Sequence, residues 1–230
     1  MAFADPHFWL SAVLSLVIFL LSLTVHEFAH ARVAFALDDD TAARQRRMTL
    51  NPLAHIDLVG TILMPILGSA GVPVIGWAKP VPVNPLNFTR KVTMRGGMAL
   101  VAVAGPLSNI VLALVSAGLL WGVVRSGLVP EQFQLQAVAL LARLVFANIG
   151  LAMFNLLPIP PLDGSRLMPR SLDSVMEFLQ RYTFIVFLVI IFFGGRFIAI
   201  PVILLTQLLG AAIGVDILYL YQLSEQITFG

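Results

Sequence analysis

The chain of 230 residues contains no cysteine. That excludes a disulfide framework and any thiolate metal or redox site, so a metal here has to be held by His, Asp or Glu. Charge is scarce as well. Charged residues make up 11% of the sequence against roughly 25% in an average soluble domain, and hydrophobic residues 59% against about 45–50%. The 14 Lys+Arg and 12 Asp+Glu are too few to cover a soluble surface of this size. With a mean hydropathy of +0.93, the composition describes a multi-pass membrane protein whose outer faces meet lipid. A collagen-like chain, a disordered chain and a nucleic-acid binder are excluded together. The formal net charge is only +2, so the isoelectric point near 9.4 reflects Arg and Lys flanking the membrane.

The long apolar runs set the expected fold class, an all-α multi-pass membrane protein forming a single membrane-embedded domain over residues 1–230. Residues 8–37 hold neither Gly nor Pro and exceed the roughly 20 residues needed to cross a hydrocarbon core of about 30 Å. The stretch before them is short and lacks a basic n-region, which argues against a cleavable signal peptide, and Trp9 suits an interfacial anchor. Residues 61–80 are apolar but interrupted by Pro65, Gly68, Gly71, Pro73, Gly76 and Pro80. That pattern predicts a re-entrant or β-hairpin element whose backbone is covered by protein or water. Residues 96–124 and 137–157 are expected to span. Residues 182–193 and 197–220, parted by Gly194-Gly195-Arg196, predict two helices or a helical hairpin. The expected total is about five transmembrane helices plus the element at 61–80. Gly118/Gly122 and Gly210/Gly214 are GxxxG-like pairs suited to close helix approach.

Orientation follows from the basic residues. Arg44, Arg46 and Arg47 follow the first span, and the N-terminal side has no Lys or Arg, so the positive-inside rule places this loop in the cytoplasm and the N-terminus outside. The Asp38-Asp39-Asp40 run counts little in that rule. Keeping Lys79, Arg90, Lys91 and Arg95 on the same side requires residues 61–80 to return to the side they entered from. The next two spans then leave Arg166, Arg170 and Arg181 cytoplasmic as well.

His26, Glu27, His30 and Arg32 lie inside the first span, where ionisable groups are costly and default to a functional role. His26-Glu27-Phe28-Ala29-His30 is an HExxH pattern. A spacing of four puts both imidazoles on one helix face, where they can grip one Zn²⁺ with Glu27 beside them as general base for the metal-bound water. With four His and four Glu in the chain, a chance match has odds of about one in a thousand. The alternative is a pair of core histidines, with Glu27 paired to Arg32. Helical rise puts the two histidines roughly 10–16 Å inside Leu37, so a metal there lies within the bilayer.

A catalytic zinc site normally takes three protein ligands. Asp163 is the leading third candidate, in Asn155-Leu-Leu-Pro158-Ile-Pro160-Pro161-Leu-Asp163-Gly164. It follows an apolar helix on the side where the first motif lies, and the three prolines predict an extended backbone that turns the carboxylate back into the bundle. An ordinary Asp-Gly turn is the competing reading. His55, in Asn51-Pro-Leu-Ala-His55, could be a fourth ligand, an oxyanion donor or a solvated loop histidine. Asn155 could bind substrate backbone, support a ligand, or simply pack between helices.

HExxH in the first span, Asn51-Pro-Leu-Ala-His55, Gly76-Trp-Ala-Lys-Pro-Val-Pro-Val-Asn84, Ala104-Gly-Pro-Leu-Ser-Asn109 and Asn155 through Gly164 occur in that order. Together, over roughly residues 10–170, they resemble the site-2 protease family of intramembrane zinc metalloproteases, in its compact form without PDZ or CBS domains. One departure is Asp57-Leu-Val-Gly60, where many relatives have Asp-Pro-Leu-Gly. The resemblance implies one zinc per chain on His26, His30 and Asp163, with Glu27 as catalytic base. It implies that His55 and Asn155 assist the substrate or transition state. A catalytic core over about 8–170 would be followed by C-terminal helices over about 182–220. The implied activity is hydrolysis of peptide bonds within or near transmembrane segments, in the cell membrane, from a site open toward the cytoplasm. The implied partners are a transmembrane substrate and the lipid bilayer, with no nucleic acid; a homo-oligomer is compatible with the sequence. A substrate helix would have to unwind, and the element at 61–80 could hold the unwound strand by its edge. A transporter using the same His, Glu and Asp is the rival, but it normally shows matched broken helices in two halves, and no internal repeat is evident.

Overall fold

The computed structural model describes residues 6–69, 76–127 and 129–229. Every regular element among them is helical. Helix α1 (Pro6–Ala36) has no Gly or Pro past its first residue to interrupt its ladder. It ends as the chain turns through Asp38 at φ 75°, a left-handed conformation that Asp adopts more readily than most residues. A short connector follows: α2 (Thr41–Arg44), a 3₁₀ turn at Pro52–His55, a π turn at Leu58–Leu63 and α3 (Met64–Ser69). Helix α4 (Met94–Ser126) starts under a Thr93 cap, whose hydroxyl accepts from Gly96 N–H at 3.0 Å, and stops at Gly127 with φ 62°. Helix α5 (Glu131–Asn155) returns alongside it. Then come α6 (Asp173–Arg181), α7 (Thr183–Val189), α8 (Gly195–Ile213) and α9 (Ile217–Phe229).

Four helical stretches are long and apolar enough to cross a membrane: Ala12–Ala36, Met94–Ser126, Glu131–Asn155 and Gly195–Ile213. The structure thus has four candidate spans among the described residues rather than about five. The difference lies in the C-terminal region. α7, a π turn at Ile190–Gly194 and α8 follow one another without a break, and Gly195 keeps helical angles (φ −53°, ψ −40°). Glycine costs a helix only about 1 kcal/mol, and lipid penalises a broken backbone far more. The break falls instead at Gly214, at φ 66°. From there α9 turns back to pack on α1, α5 and α8, where buried Arg143 donates to Ser224 Oγ at 2.9 Å and to Ser224 O at 2.7 Å.

The β-hairpin alternative for residues 61–80 has no strand among the described residues. Residues 58–69 are helical, 70–75 lie outside the described residues, and 76–84 carry no regular structure. The C-terminal part of this segment is tied to the chain before it, Trp77 N–H donating to Gly60 O and Lys79 N–H to His55 O, each at 3.0 Å.

The core sits where α4, α5, α8 and α9 meet, built from Ala113, Ala117, Leu120, Ala142, Val145, Ile149, Val202 and Ile217. Small residues at α4 and α5 let the two backbones approach, which is what drives helix packing when lipid is as apolar as the core. A second cluster of Ala34, Phe88 and Val101 seals α1 against α4 at the end where the connector lies.

Candidate metal centre

Helix α1 presents His26 and His30 one turn apart, both buried, toward α4. The α4 backbone comes unusually close. A Cβ on Gly105 would stand 2.5 Å from His26 Cε1 and from His30 Cε1 and Nε2, so only glycine fits beneath the two rings. Next to it Pro106 lacks an N–H, which locally loosens the α4 ladder.

The ring protons are positioned by the outer partners. His30 Nδ1–H donates to Val101 O at 2.7 Å, and a carbonyl can only accept. His26 Nδ1–H donates to Asn109 Oδ1, also at 2.7 Å. Both imidazoles therefore turn an Nε2 lone pair inward. Asp163 closes the group from the segment after α5, its Oδ2 lying 3.1 Å from His26 Nε2 and 3.2 Å from His30 Nε2, with the two Nε2 atoms 3.0 Å apart. The segment turns tightly through Leu157–Leu162 instead of running extended, and Asp163 opens a 3₁₀ turn at Asp163–Leu167. Gly164 permits this, because a Cβ there would lie 2.2 Å from Leu156 O at the end of α5.

This set fits a divalent metal. Three lone-pair atoms facing one another repel unless a cation lies among them, and Asp163 Oδ2 is buried without a hydrogen-bond donor. Zinc bonds of about 2.0–2.2 Å in a tetrahedron separate ligand atoms by roughly 3.3–3.5 Å, so the triangle has to widen by only a few tenths of an ångström. Two His and one carboxylate leave the fourth position open, as catalytic sites do.

Glu27 is buried beside this group. Its Oε2 accepts from Val81 N–H at 2.8 Å, so it is not paired to Arg32, whose guanidinium lies 5.8 Å from the Phe35 ring centroid. Pro80 and Pro82 flank Val81 and carry no N–H, leaving Val81 the donor at that point. The segment is held further by Arg47 donating to Lys79 O at 2.6 Å and by Asn84 N–H donating to Asp39 Oδ2 at 2.8 Å.

His55 and Asn155 are not part of the three-residue group. His55 is fully buried rather than solvated, its Nε2–H donating to Thr49 O at 2.9 Å and its Nδ1 lacking a partner. Asn155 donates to Leu151 O of its own helix at 3.0 Å. Gly105 and Asn109 lie in the Ala104–Asn109 motif and Asn148 in none, and the sequence alone assigns no chemical role to any of the three. Amides inside otherwise apolar spans are the signal that marks the last two.

The profile of peptidase family M50 matches residues 123–194. A protein of Bacillus subtilis named "Putative zinc metalloprotease YwhC" is 41% identical over 176 residues, covering 74% of this chain and 76% of the relative. The chain belongs to peptidase family M50. Two mycobacterial proteins named "Putative zinc metalloprotease Rip2" are also similar to this M50 peptidase: that of Mycolicibacterium smegmatis is 32% identical over 149 residues, and that of Mycobacterium tuberculosis 34% over 150. Each match covers 63% of the M50 chain and 52% of the relative, so the chain spans about half their length. No solved structure matches it.

Proposed function

We propose that this M50 peptidase is an intramembrane zinc metalloprotease cleaving peptide bonds within or near transmembrane segments of membrane proteins. The observation that carries the proposal is the convergence of Asp163 Oδ2, from the turn after α5, with His26 Nε2 and His30 Nε2 of α1, all within 3.2 Å of one another, α1 being long and apolar enough to span. In this reading His26, His30 and Asp163 hold one zinc. Bound there, zinc supplies Lewis acidity, bringing the pKa of its water to about 7 and polarising a peptide carbonyl.

The chain's own residues do the rest. Glu27 takes the proton of the attacking water and delivers it to the leaving amine. The Val81 N–H holds the carboxylate in place from Oε2. His55 and Asn155 assist the substrate or the transition state. A substrate helix has to open before its carbonyl is accessible, and residues 61–80, read as re-entrant, would offer edge backbone to hold the unwound strand. The basic loops favour the cytoplasm for their own side of the bundle and the outside for the N-terminus, in the cell membrane.

The test is cleavage of a transmembrane peptide by purified protein in liposomes, with zinc removed by chelator and restored. Hydrolysis should vanish and return with about one zinc per chain. Full hydrolysis by zinc-free protein would overturn the proposal.

A further inference from the structure

A buried polar chain runs across three helices and ends on His26. It begins at backbone carbonyls, which accept and never donate. Asn148 Nδ2 on α5 donates to Leu144 O at 2.9 Å and to Ser22 Oγ at 3.0 Å, which uses both of its protons. Its Oδ1 must then face α4, where it accepts from Asn109 Nδ2 at 2.9 Å. The second Asn109 proton goes to Ser22 O on α1, at 3.3 Å. With both protons committed, Asn109 has only Oδ1 to offer His26 Nδ1. Ser22, Asn109 and Asn148 are all 0% exposed, so water does not compete for these bonds.

We infer that Asn109, oriented by Asn148 and Ser22, is a positioning residue that fixes His26 in its Nδ1–H tautomer and so keeps the Nε2 lone pair directed at Asp163. The inference rests on His26 being a ligand, as proposed above. Turning the Asn109 amide over would set an N–H against His26 Nδ1 and an oxygen against Asn148 Oδ1. The imidazole would then carry its proton on Nε2, in the space between the ligands. The network across α1, α4 and α5 opposes that arrangement at both ends. His30 needs no such device, because Val101 O cannot be turned over. Partners of this kind typically change metal affinity by about 10–100-fold when removed.

The test compares N109L, N109D and N148L with wild type, and H26A as the ligand control. One readout is zinc affinity by chelator competition. The other is ¹⁵N NMR of the zinc-free protein labelled at histidine, which has only 4 His to assign. N109L keeps a side chain branched at Cγ but no acceptor, and should weaken zinc about 10–100-fold while moving His26 toward Nε2–H. N109D keeps an acceptor for His26 Nδ1–H, as in carboxylate–histidine–metal arrangements, but sets its second oxygen against Asn148 Oδ1 and Ser22 O, so it should retain Nδ1–H with a zinc affinity between those of N109L and wild type. N148L frees the Asn109 amide to turn and should fall between the two; it also supplies the test if N109L does not fold. Wild-type affinity and tautomer in N109L and N148L overturn the inference, as does an Nε2–H His26 in N109D. If H26A binds zinc like wild type, the ligand assignment itself is what fails, independently of Asn109.

Discussion

In the proposed mechanism Glu27 shares its carboxylate between structure and chemistry. Because Oε2 accepts from Val81 N–H at 2.8 Å, a glutamine at this position can still accept that bond through its amide oxygen. E27Q should therefore leave the 77–84 segment and all three ligands in place. It should keep about one zinc per chain, yet lose about 10²–10⁴-fold or more in hydrolysis because the base is gone. Peptide cleavage and metal content measured on the same sample decide it, and near-wild-type turnover removes Glu27 from its role. Asp163 behaves in the opposite way. D163N keeps size and an oxygen but loses the charge that two inward lone pairs require, so zinc affinity and activity should fall together. H55A should lower turnover while zinc stays near one per chain, since His55 lies outside the three-residue group. Zinc retained in D163N but lost in H55A reverses the assignment.

Asp39 carries a pH signature. Burial pushes its carboxyl up, but donation from Thr41 Oγ1–H and N–H, Asn84 N–H and Asn87 Nδ2–H outweighs this and holds it below the usual carboxylate range. A group with a lowered native pKa contributes its full stability above the unfolded value of about 3.9, and loses it as pH falls through the lowered native value. Protection of the Asn84 amide against hydrogen exchange should thus be constant at neutral pH and decline only in strong acid. D39N should lack that protection already at neutral pH.

At the scale of the element, the decisive feature is the approach of α4 to α1 at Gly105. Alanine suits a helix better than glycine by about 1 kcal/mol, so G105A should leave α4 intact. Its methyl group would nonetheless meet the rings of both histidines at 2.5 Å and force them off their positions. The expected result is unchanged helical circular dichroism with zinc affinity reduced about tenfold or more. Unchanged affinity would mean that the two helices part without disturbing the ligands. This element also marks how far the sequence could be read. The HExxH pattern and the limits of α4 and α5 are local properties, visible in spacing and in runs of apolar residues. Asp163 emerged by elimination in a chain with no cysteine and few acids. The bonds from His26 to Asn109 and from Asn109 to Asn148 join residues 83 and 39 apart, which no periodicity encodes. Gly194-Gly195 looks like a stop in the sequence, whereas backbone hydrogen bonding in lipid carries the helix through to Gly214.

For the whole molecule, the cross-links among the loops determine which ends lie together. Thr89 N–H donates to Leu37 O at 2.8 Å, joining the start of the α4 loop to the end of α1. Arg95 at the head of α4 binds Asp173 with contacts of 2.8 and 3.1 Å, and Arg95 also donates to Met168 O, which ties in the chain after α5. At the opposite end, the Arg125 guanidinium approaches Gly214. The basic residues of the loops at 44–47, 79–95 and 166–181 therefore share one face of the bundle, and Arg125 lies at the other. Because the chain has no cysteine, single cysteines report without background. Cysteines replacing Gln45, Arg90 and Ser171, all exposed, should label from the cytoplasm, and one replacing exposed Gln132 from outside. The four positions separate two questions. Inversion of the whole pattern would contradict the cytoplasmic placement while leaving the fold intact, since the loop contacts do not depend on which side faces in. Labelling of Gln45→Cys and Arg90→Cys from opposite sides would instead mean that residues 61–80 cross the membrane. That outcome would separate Thr89 from Leu37, and with them the 77–84 segment from Glu27, so the active-site reading would fall with the topology.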